Sequence, residues 1–231
     1  IPSMKLGLAT YKDIIDIKNI KKLSGIKISG KSVTIGATTK HAEVANSKEI
    51  KKAIPSLAAL AEGIGDPQVR NRGTIGGSIE NNDPAADYPS ACLALNATIH
   101  TNSRKISADK FFTGMFETAL EEGELITSVS FPKPDTAAYM KFPNPASRYA
   151  IVGVFVAKFG ADVRVAVTGA GDNGVFRAAE IESALAGSFS ASALDNTTIS
   201  PDDLLSDIHA QSDYRASLIV TMAKRAVTAA S

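Results

Sequence analysis

A long polar segment rich in glycine, Gly65 to Pro89 (GDPQVRNRGTIGGSIENNDPAADYP), interrupts an otherwise apolar chain. Long connections of this kind inside a folded domain are more often functional than simple links. Gly76 and Gly77 lack a Cβ, so they predict a turn with φ > 0 that lets a ligand approach the backbone. Successive N–H groups at such a turn, with the hydroxyls of Thr74 and Ser78 on either side, suit an anion. The segment therefore predicts a phosphate-binding site.

The size and charge of the chain indicate a globular protein without a general attraction for polyanions. Its 231 residues can form one large or two small domains. A formal net charge of +1 creates no field that would recruit nucleic acid or a membrane surface. No apolar run reaches the roughly 18 residues of a membrane span, and no signal-peptide pattern is present. The one cysteine, Cys92, excludes an intrachain disulfide and indicates a reducing, cytoplasmic location with a buried structural thiol.

The first part of the chain mixes short strands and helices. Strands are predicted at residues 33–37 and 125–131, and a hairpin joins residues 97–100 to 105–106. Thr38 or Thr39 is predicted to cap a helix over residues 40–45, and Ser56 a second helix that ends at Gly63 or Gly65. A third helix is expected from Asp87, whose acid lies at its positive N-terminal end.

The pattern changes after residues 132–135 (PKPD). Residues 151–159 and 163–168 predict an antiparallel pair of strands, followed by helices at 178–186, 202–208 and 214–229. We therefore expect an α+β fold: a mixed α/β domain at residues 1–134, then a small three-stranded antiparallel sheet with helices at residues 135–231.

Common catalytic and metal motifs are not found. No GK[ST] follows the glycines, and Gly73 and Gly76 do not fit the G-x-G-x-x-G dinucleotide fingerprint. The three histidines have no metal-ligand spacing. Asp83 and Asp87 could form an acid pair, but Asp83 is expected to cap the turn before Pro84.

The string GDPQVRNRGTIGGSIENNDPAADYPSACLALNATI resembles the signature of the FAD-binding subunit of molybdenum hydroxylases, most of all the medium subunit of aerobic carbon monoxide dehydrogenase and its paralogues. The resemblance covers nearly the whole chain. Residues 4–9 (MKLGLA), 139–142 (YMKF) and 146–150 (ASRYA) are similar to further family segments. It implies a vanillyl-alcohol-oxidase-like FAD-binding domain, followed by the family's C-terminal α+β domain. The family's first flavin motif, Ala-Gly-Gly-x-Ser, is expected immediately before Ile1.

The resemblance also implies roles for particular residues in cofactor binding. The backbone and hydroxyl groups of one short run would hold the FAD diphosphate; these residues are Thr74, Ile75, Gly76, Gly77 and Ser78. Asp87 matches an acid that contacts the cofactor, and Leu125 or Ile126 an apolar residue against the flavin ring. Lys141 matches a basic residue near the isoalloxazine in some members. Arg70 and Arg72 could hold phosphate, a salt bridge or a subunit contact.

The function implied by the resemblance is that of an oxidoreductase subunit. Electrons from [2Fe–2S] clusters on a small partner subunit would pass through FAD to an external acceptor, after substrate oxidation at molybdopterin on a large subunit. A dimer of such heterotrimers is expected, with no catalytic acid or base on this chain. Two alternatives remain open: an assembly module of the same complex without flavin, and a stand-alone flavin reductase.

Overall fold

The computed structural model describes residues 2–230, which form two larger antiparallel sheets and a third of only two strands, with helices between and around them. The helices are α1 (Pro2–Lys5), α2 (His41–Asn46), α3 (Lys48–Ala53), α4 (Pro55–Glu62), α5 (Pro67–Arg70), α6 (Ile75–Asn81), α7 (Tyr88–Ala94), α8 (Ala108–Phe111), α9 (Ala179–Gly187) and α10 (Ser212–Ala230). The strands are β1 (Ile26–Ser29), β2 (Ser32–Gly36), β3 (Thr98–Thr101), β4 (Lys105–Ser107), β5 (Phe112–Gly114), β6 (Glu117–Thr118), β7 (Ile126–Pro132), β8 (Thr136–Pro143), β9 (Ala150–Phe159), β10 (Asp162–Thr168) and β11 (Phe176–Arg177). This is the α+β architecture that the sequence predicts.

The first sheet has the strand order β1-β2-β7-β3-β4 with antiparallel neighbours. Val33 and Ile35 on β2, with Val129 and Phe131 on β7, are fully buried. The residues between them are serines and threonines that point away from the core. Helices α2, α4, α6 and α7 contribute to the same core. Burial of one face only produces the apolar–polar alternation by which β2 and β7 are recognisable in the sequence.

The second sheet has the order β11-β10-β9-β8 and separates two cores. Phe155 and Ala157 on β9 pack into the first core, whereas Val154 and Val156 pack against the core that α9 and α10 cover. Both faces of β9 are therefore buried, which explains its nearly continuous apolar sequence. The sheet has four strands instead of the predicted three, because the two-residue β11 pairs with the end of β10.

Three local predictions about helices in the described residues are wrong. Thr39 does not cap α2; its hydroxyl exchanges hydrogen bonds with the backbone of Gly25 at 2.9 and 3.2 Å. Ser56 lies inside the first turn of α4, after Pro55, and its hydroxyl is buried without a partner in the described chain. Residues 202–208 form turns instead of a helix. Asp83 does cap the turn at Pro84 as predicted, accepting from the Ala85 amide at 2.9 Å.

Candidate functional site

A cavity of about 570 Å³ opens beside the glycine-rich segment. One wall comes from α6 and the residue before it, including Thr74, Gly77 and Ser78. The loop between β8 and β9, residues 147–149, also lines the cavity. Asp87, at the start of α7, also lines the cavity. The volume lies in the range of ordinary cofactor and ligand sites, and the fold closes it with residues from both halves of the chain.

The glycine-rich segment is a helix start and not the turn that the sequence predicts. Thr74 is the N-cap of α6, and its hydroxyl accepts from the Gly77 amide at 3.2 Å. Neither Gly76 nor Gly77 has a positive φ. The expectation that these glycines adopt φ > 0 is therefore wrong, because the Thr74 cap starts a helix at Ile75.

Gly76 is required by packing. A Cβ at this position would lie 2.6 Å from Ala37 Cβ and 2.7 Å from the Ala37 carbonyl oxygen. The Gly76 amide donates to that same oxygen at 2.8 Å, so α6 lies directly on the backbone that follows β2. Ile75 is fully buried, and its amide donates to Thr39 O. These two residues attach α6 to the core and do not line the cavity.

Gly77 leaves the helix surface open toward the cavity. A Cβ here would meet only the Thr74 hydroxyl, at 3.2 Å. A ligand can therefore approach the α6 backbone at Gly77 more closely than any residue with a side chain would allow. The Ser78 hydroxyl lines the same wall and has no hydrogen-bond partner among the described residues. The amides of residues 75–78 already donate to oxygens of Thr39, Ala37 and Thr74, so the predicted row of free N–H groups is wrong. What this wall offers to the phosphate part of a nucleotide is the open surface at Gly77 and the Ser78 hydroxyl.

Charges of both signs surround the cavity. Arg72 and Arg148 line it, together with the acids Glu80, Asp83 and Asp87. Anionic ligand groups are attracted to the arginines and repelled by the carboxylates. The electrostatics therefore favour a ligand with separate anionic and hydrogen-bond-donating parts.

Arg70 does not line the cavity. Its Nη1 donates to the carbonyls of Ile64 and Gly65 at 2.9 and 3.0 Å, which braces the loop between α4 and α5. The Arg70 guanidinium therefore supports the backbone of the cavity wall, and its contact with a partner subunit stays a prediction.

Asp87 and Lys141, both predicted from the resemblance, lie together. Lys141 Nζ is 3.0 Å from Asp87 Oδ1 and donates to the Gly63 carbonyl at 2.7 Å. Tyr139 Oη donates to the same carboxylate at 2.5 Å. Burial raises the pKa of Asp87, while the Lys141 ammonium and the Tyr139 hydroxyl oppose that increase. Lys141 does not line the cavity; it is ion-paired with Asp87, which does.

Leu125 and Ile126 lie away from this cluster. Leu125 is 39% exposed, and its amide donates to Asn102 Oδ1 at 2.8 Å. Ile126 begins β7 and is buried in the first core. Neither lines the cavity. Their apolar contact with a flavin ring stays a prediction.

His41 is a cavity residue that sequence reasoning missed. Its ring is buried, it packs at a tilt against Tyr88 with 5.4 Å between ring centroids, and its Nδ1 has no partner in the described chain. Burial, together with the nearby Arg70 charge, lowers the pKa of His41 to about 4. The imidazole is therefore neutral at physiological pH. A Cβ at Gly73 would overlap the imidazole ring, so the glycine at 73 makes room for it.

Three further properties of the described part of the chain bear on metal binding, thiol reactivity and membrane insertion. Residues 2–230 contain no cluster of three or more His, Cys, Asp or Glu side chains that could hold a metal ion. The Cys92 thiol is buried, and burial raises its pKa well above the ordinary value, which fits the predicted structural thiol. Within the same residues, no helix is long and apolar enough to cross a membrane.

Comparison with known sequences gives the family of the chain. Residues 1–134 match the family described as FAD binding domain in molybdopterin dehydrogenase. The nicotine 6-hydroxylase medium subunit of Paenarthrobacter nicotinovorans is 33% identical over all of this chain and 86% of its own length. The carbon monoxide dehydrogenase medium chain of Hydrogenophaga pseudoflava is 32% identical over all of this chain and 85% of its own length.

Comparison with solved structures agrees. Carbon monoxide dehydrogenase from Hydrogenophaga pseudoflava superposes with a TM-score of 0.84 at 32% identity, over 99% of this chain and 85% of that one. Quinoline 2-oxidoreductase from Pseudomonas putida 86 gives 0.86 at 26% identity over the same shares. The predicted resemblance, fold class and FAD cofactor are confirmed. The chain belongs to the FAD-binding domain family of molybdopterin dehydrogenases, as a FAD-binding subunit of a molybdenum hydroxylase.

Proposed function

We propose that this chain is the electron-transfer subunit of a molybdopterin-dependent hydroxylase, in which FAD receives electrons from iron–sulfur clusters on a partner and passes them to an external acceptor. The observation that carries the proposal is the cavity at Gly77, in a chain whose family binds FAD. Relatives are named as subunits or medium chains of larger enzymes. A large molybdopterin subunit and a small iron–sulfur subunit, as a cytoplasmic dimer of heterotrimers, complete the proposal.

The cavity, of about 570 Å³, presents groups of the kind that a dinucleotide needs. We assign the diphosphate to the wall formed by Thr74, Gly77 and Ser78, where the backbone is open and one hydroxyl has no partner. Ile75 and Gly76 act indirectly, because they hold α6 against the core. Arg72 lies on the same cavity and supplies positive charge. The predicted diphosphate segment therefore divides into ligand contacts and packing contacts.

The Asp87 carboxylate suits the uncharged part of FAD. Asp87 offers a buried carboxylate, and Lys141 and Tyr139 hold it in place. We propose a domain boundary at residue 134: β7 ends at Pro132 and β8 begins at Thr136, and the cavity lies where residues 147–149 of the second part meet α6 of the first. This boundary puts Asp87 and Lys141 on different domains, so their ion pair connects the two domains beside the cavity.

Flavin content of the purified complex tests this function. About one FAD should be released per copy of this chain by heat, and measured by fluorescence apart from iron–sulfur absorbance. Replacement of Gly77 alone by valine should abolish the bound flavin by steric exclusion, because Gly77 lines the cavity whereas Gly76 packs against Ala37. Unchanged flavin occupancy in that variant, or a complex that purifies without flavin, would contradict the proposal; the second result would favour the assembly module.

A further inference from the structure

Tyr139, on β8, donates a hydrogen bond to the cavity residue Asp87. It lies opposite Phe155 in the pairing of β8 with β9, and the two rings stack with centroids 5.9 Å apart. Gly153 lies further along β9, and a Cβ there would overlap the Tyr139 hydroxyl. The glycine at 153 therefore leaves the space in which the phenol can extend to Asp87.

The Tyr139 hydroxyl completes the hydrogen bonding of the Asp87 carboxylate. Oδ1 accepts from Tyr139 and lies 3.0 Å from Lys141 Nζ, and Oδ2 lies 3.2 Å from the same ammonium. Asp87 is only 5% exposed, and it lines the cavity. Because Lys141 is itself fixed by the Gly63 carbonyl, the carboxylate is held on one side by two donors from β8. Its remaining lone pairs can accept from a ligand.

The negative charge of the Asp87 carboxylate determines which ligand groups can bind beside it. The carboxylate repels phosphate, and the nearby Asp83 adds to that repulsion within the same cavity. It accepts hydrogen bonds from neutral O–H or N–H groups, and bonds to a charged acceptor are stronger than neutral ones. Asp87 therefore suits sugar-type hydroxyls or a ring imide N–H, whereas the surface at Gly77 and Ser78 suits phosphate.

We infer that Tyr139 is a positioning residue whose hydroxyl, placed by the gap at Gly153, holds the Asp87 carboxylate so that it accepts a hydrogen bond from a neutral donor of the bound flavin nucleotide. This inference rests on the proposed function, because the ligand is the FAD assigned to this cavity. Tyr139 acts through Asp87 and does not itself line the cavity.

The inference has a pH signature. Burial raises the pKa of Asp87, and the Tyr139 hydroxyl and Lys141 ammonium lower it. Without the hydroxyl, the carboxylate takes up a proton at a higher pH and loses its acceptor role there. The other titratable groups near Asp87 are Lys141 on β8, Tyr88 on α7, His41 beyond Tyr88, Asp83 in the preceding loop, and Tyr149. Of these, His41 is neutral above pH about 4, so it does not produce the same signature near neutrality.

The test is FAD titration into the flavin-stripped complex between pH 5 and 9, followed by flavin fluorescence. Tyr139→Phe should weaken FAD binding about tenfold at neutral pH, the loss of roughly one hydrogen bond to a charged group. The acid limb of its binding curve should move to higher pH. Tyr214→Phe removes an exposed phenol from α10 and should leave both quantities unchanged.

A second substitution checks the route by which Tyr139 acts. Gly153→Ala should push the phenol away and weaken FAD binding in the unaltered background, but should weaken it less in a Tyr139→Phe background, where the hydroxyl is already gone. If Gly153→Ala does not fold, Tyr139→Phe decides alone. Wild-type affinity and pH profile in Tyr139→Phe would overturn the inference while leaving the proposed function intact. Failure of the unaltered complex to bind FAD would overturn both.

Discussion

Gly76→Ala should lower the stability of the protein, whereas Gly77→Ala should lower its affinity for FAD, although the two glycines are neighbours in one short helix. A Cβ at Gly76 would lie within 3 Å of three Ala37 atoms, two of them backbone atoms that cannot rotate away. Overpacking a filled site costs about 1–3 kcal/mol. Moving α6 to relieve it weakens the Gly76–Ala37 hydrogen bond, at about 1 kcal/mol. The higher helix propensity of alanine offsets about 1 kcal/mol of these two costs. Gly76→Ala should therefore lower the free energy of unfolding by about 2 kcal/mol.

Gly77→Ala meets only the Thr74 hydroxyl, so the gain in helix propensity should dominate. The free energy of unfolding should be unchanged or higher by about 0.5 kcal/mol. The new methyl group projects from the cavity wall, so FAD affinity should fall at least about tenfold, or about 1.4 kcal/mol. The loss at Gly77 is thus in binding and the loss at Gly76 is in stability.

Urea unfolding of the flavin-free chain and FAD titration of the complex measure the two quantities separately. Gly187→Ala is the matched control: Gly187 ends α9, nothing lies within 4 Å of its added Cβ, and it is far from the cavity lining. It should report helix propensity alone and leave FAD affinity unchanged. A loss of stability in Gly77→Ala as large as that in Gly76→Ala would refute the division into packing and ligand contacts.

Two further predictions concern stability. His41 is neutral in the folded protein with a pKa of about 4, below its ordinary value of 6.5, so its contribution is complete above pH 6.5 and is lost as pH falls toward 4. Unfolding at several pH values should show up to about 3 kcal/mol lost across that window, and His41→Phe should flatten the curve; parallel curves for the two proteins would contradict this. Asn82, buried at φ 42° in the left-handed region, donates to the carbonyls of Gly114 and Glu117 at 2.8 and 2.9 Å. Asn82→Ala should cost about 3 kcal/mol by urea unfolding, and a cost below about 0.5 kcal/mol would count against the role of this side chain.

Local sequence pattern was sufficient where one physical requirement acted alone. Strand β7 alternates because only one of its faces is buried, and α7 starts at Tyr88, after Asp87, because Pro89 suits the first turn of a helix. Ser56 and Thr39 were assigned to caps that they do not form, because Pro55 already starts α4 and Gly25 takes the Thr39 hydroxyl. Such competition between partners depends on distant residues.

The sequence by itself determined the α+β class, the family and the segment that carries the cofactor cradle, because a run of glycine, hydroxyl and acidic residues is a local signal. Only the tertiary structure decided what each residue in it does. Gly76 allows close packing against Ala37, which is distant in sequence, and Gly77 leaves the cavity wall open to a ligand. Tyr139 meets Asp87 only because β8 pairs with β9 beside a glycine at 153. Contacts between residues far apart in the chain leave no periodic or local signature, so packing alone reveals them.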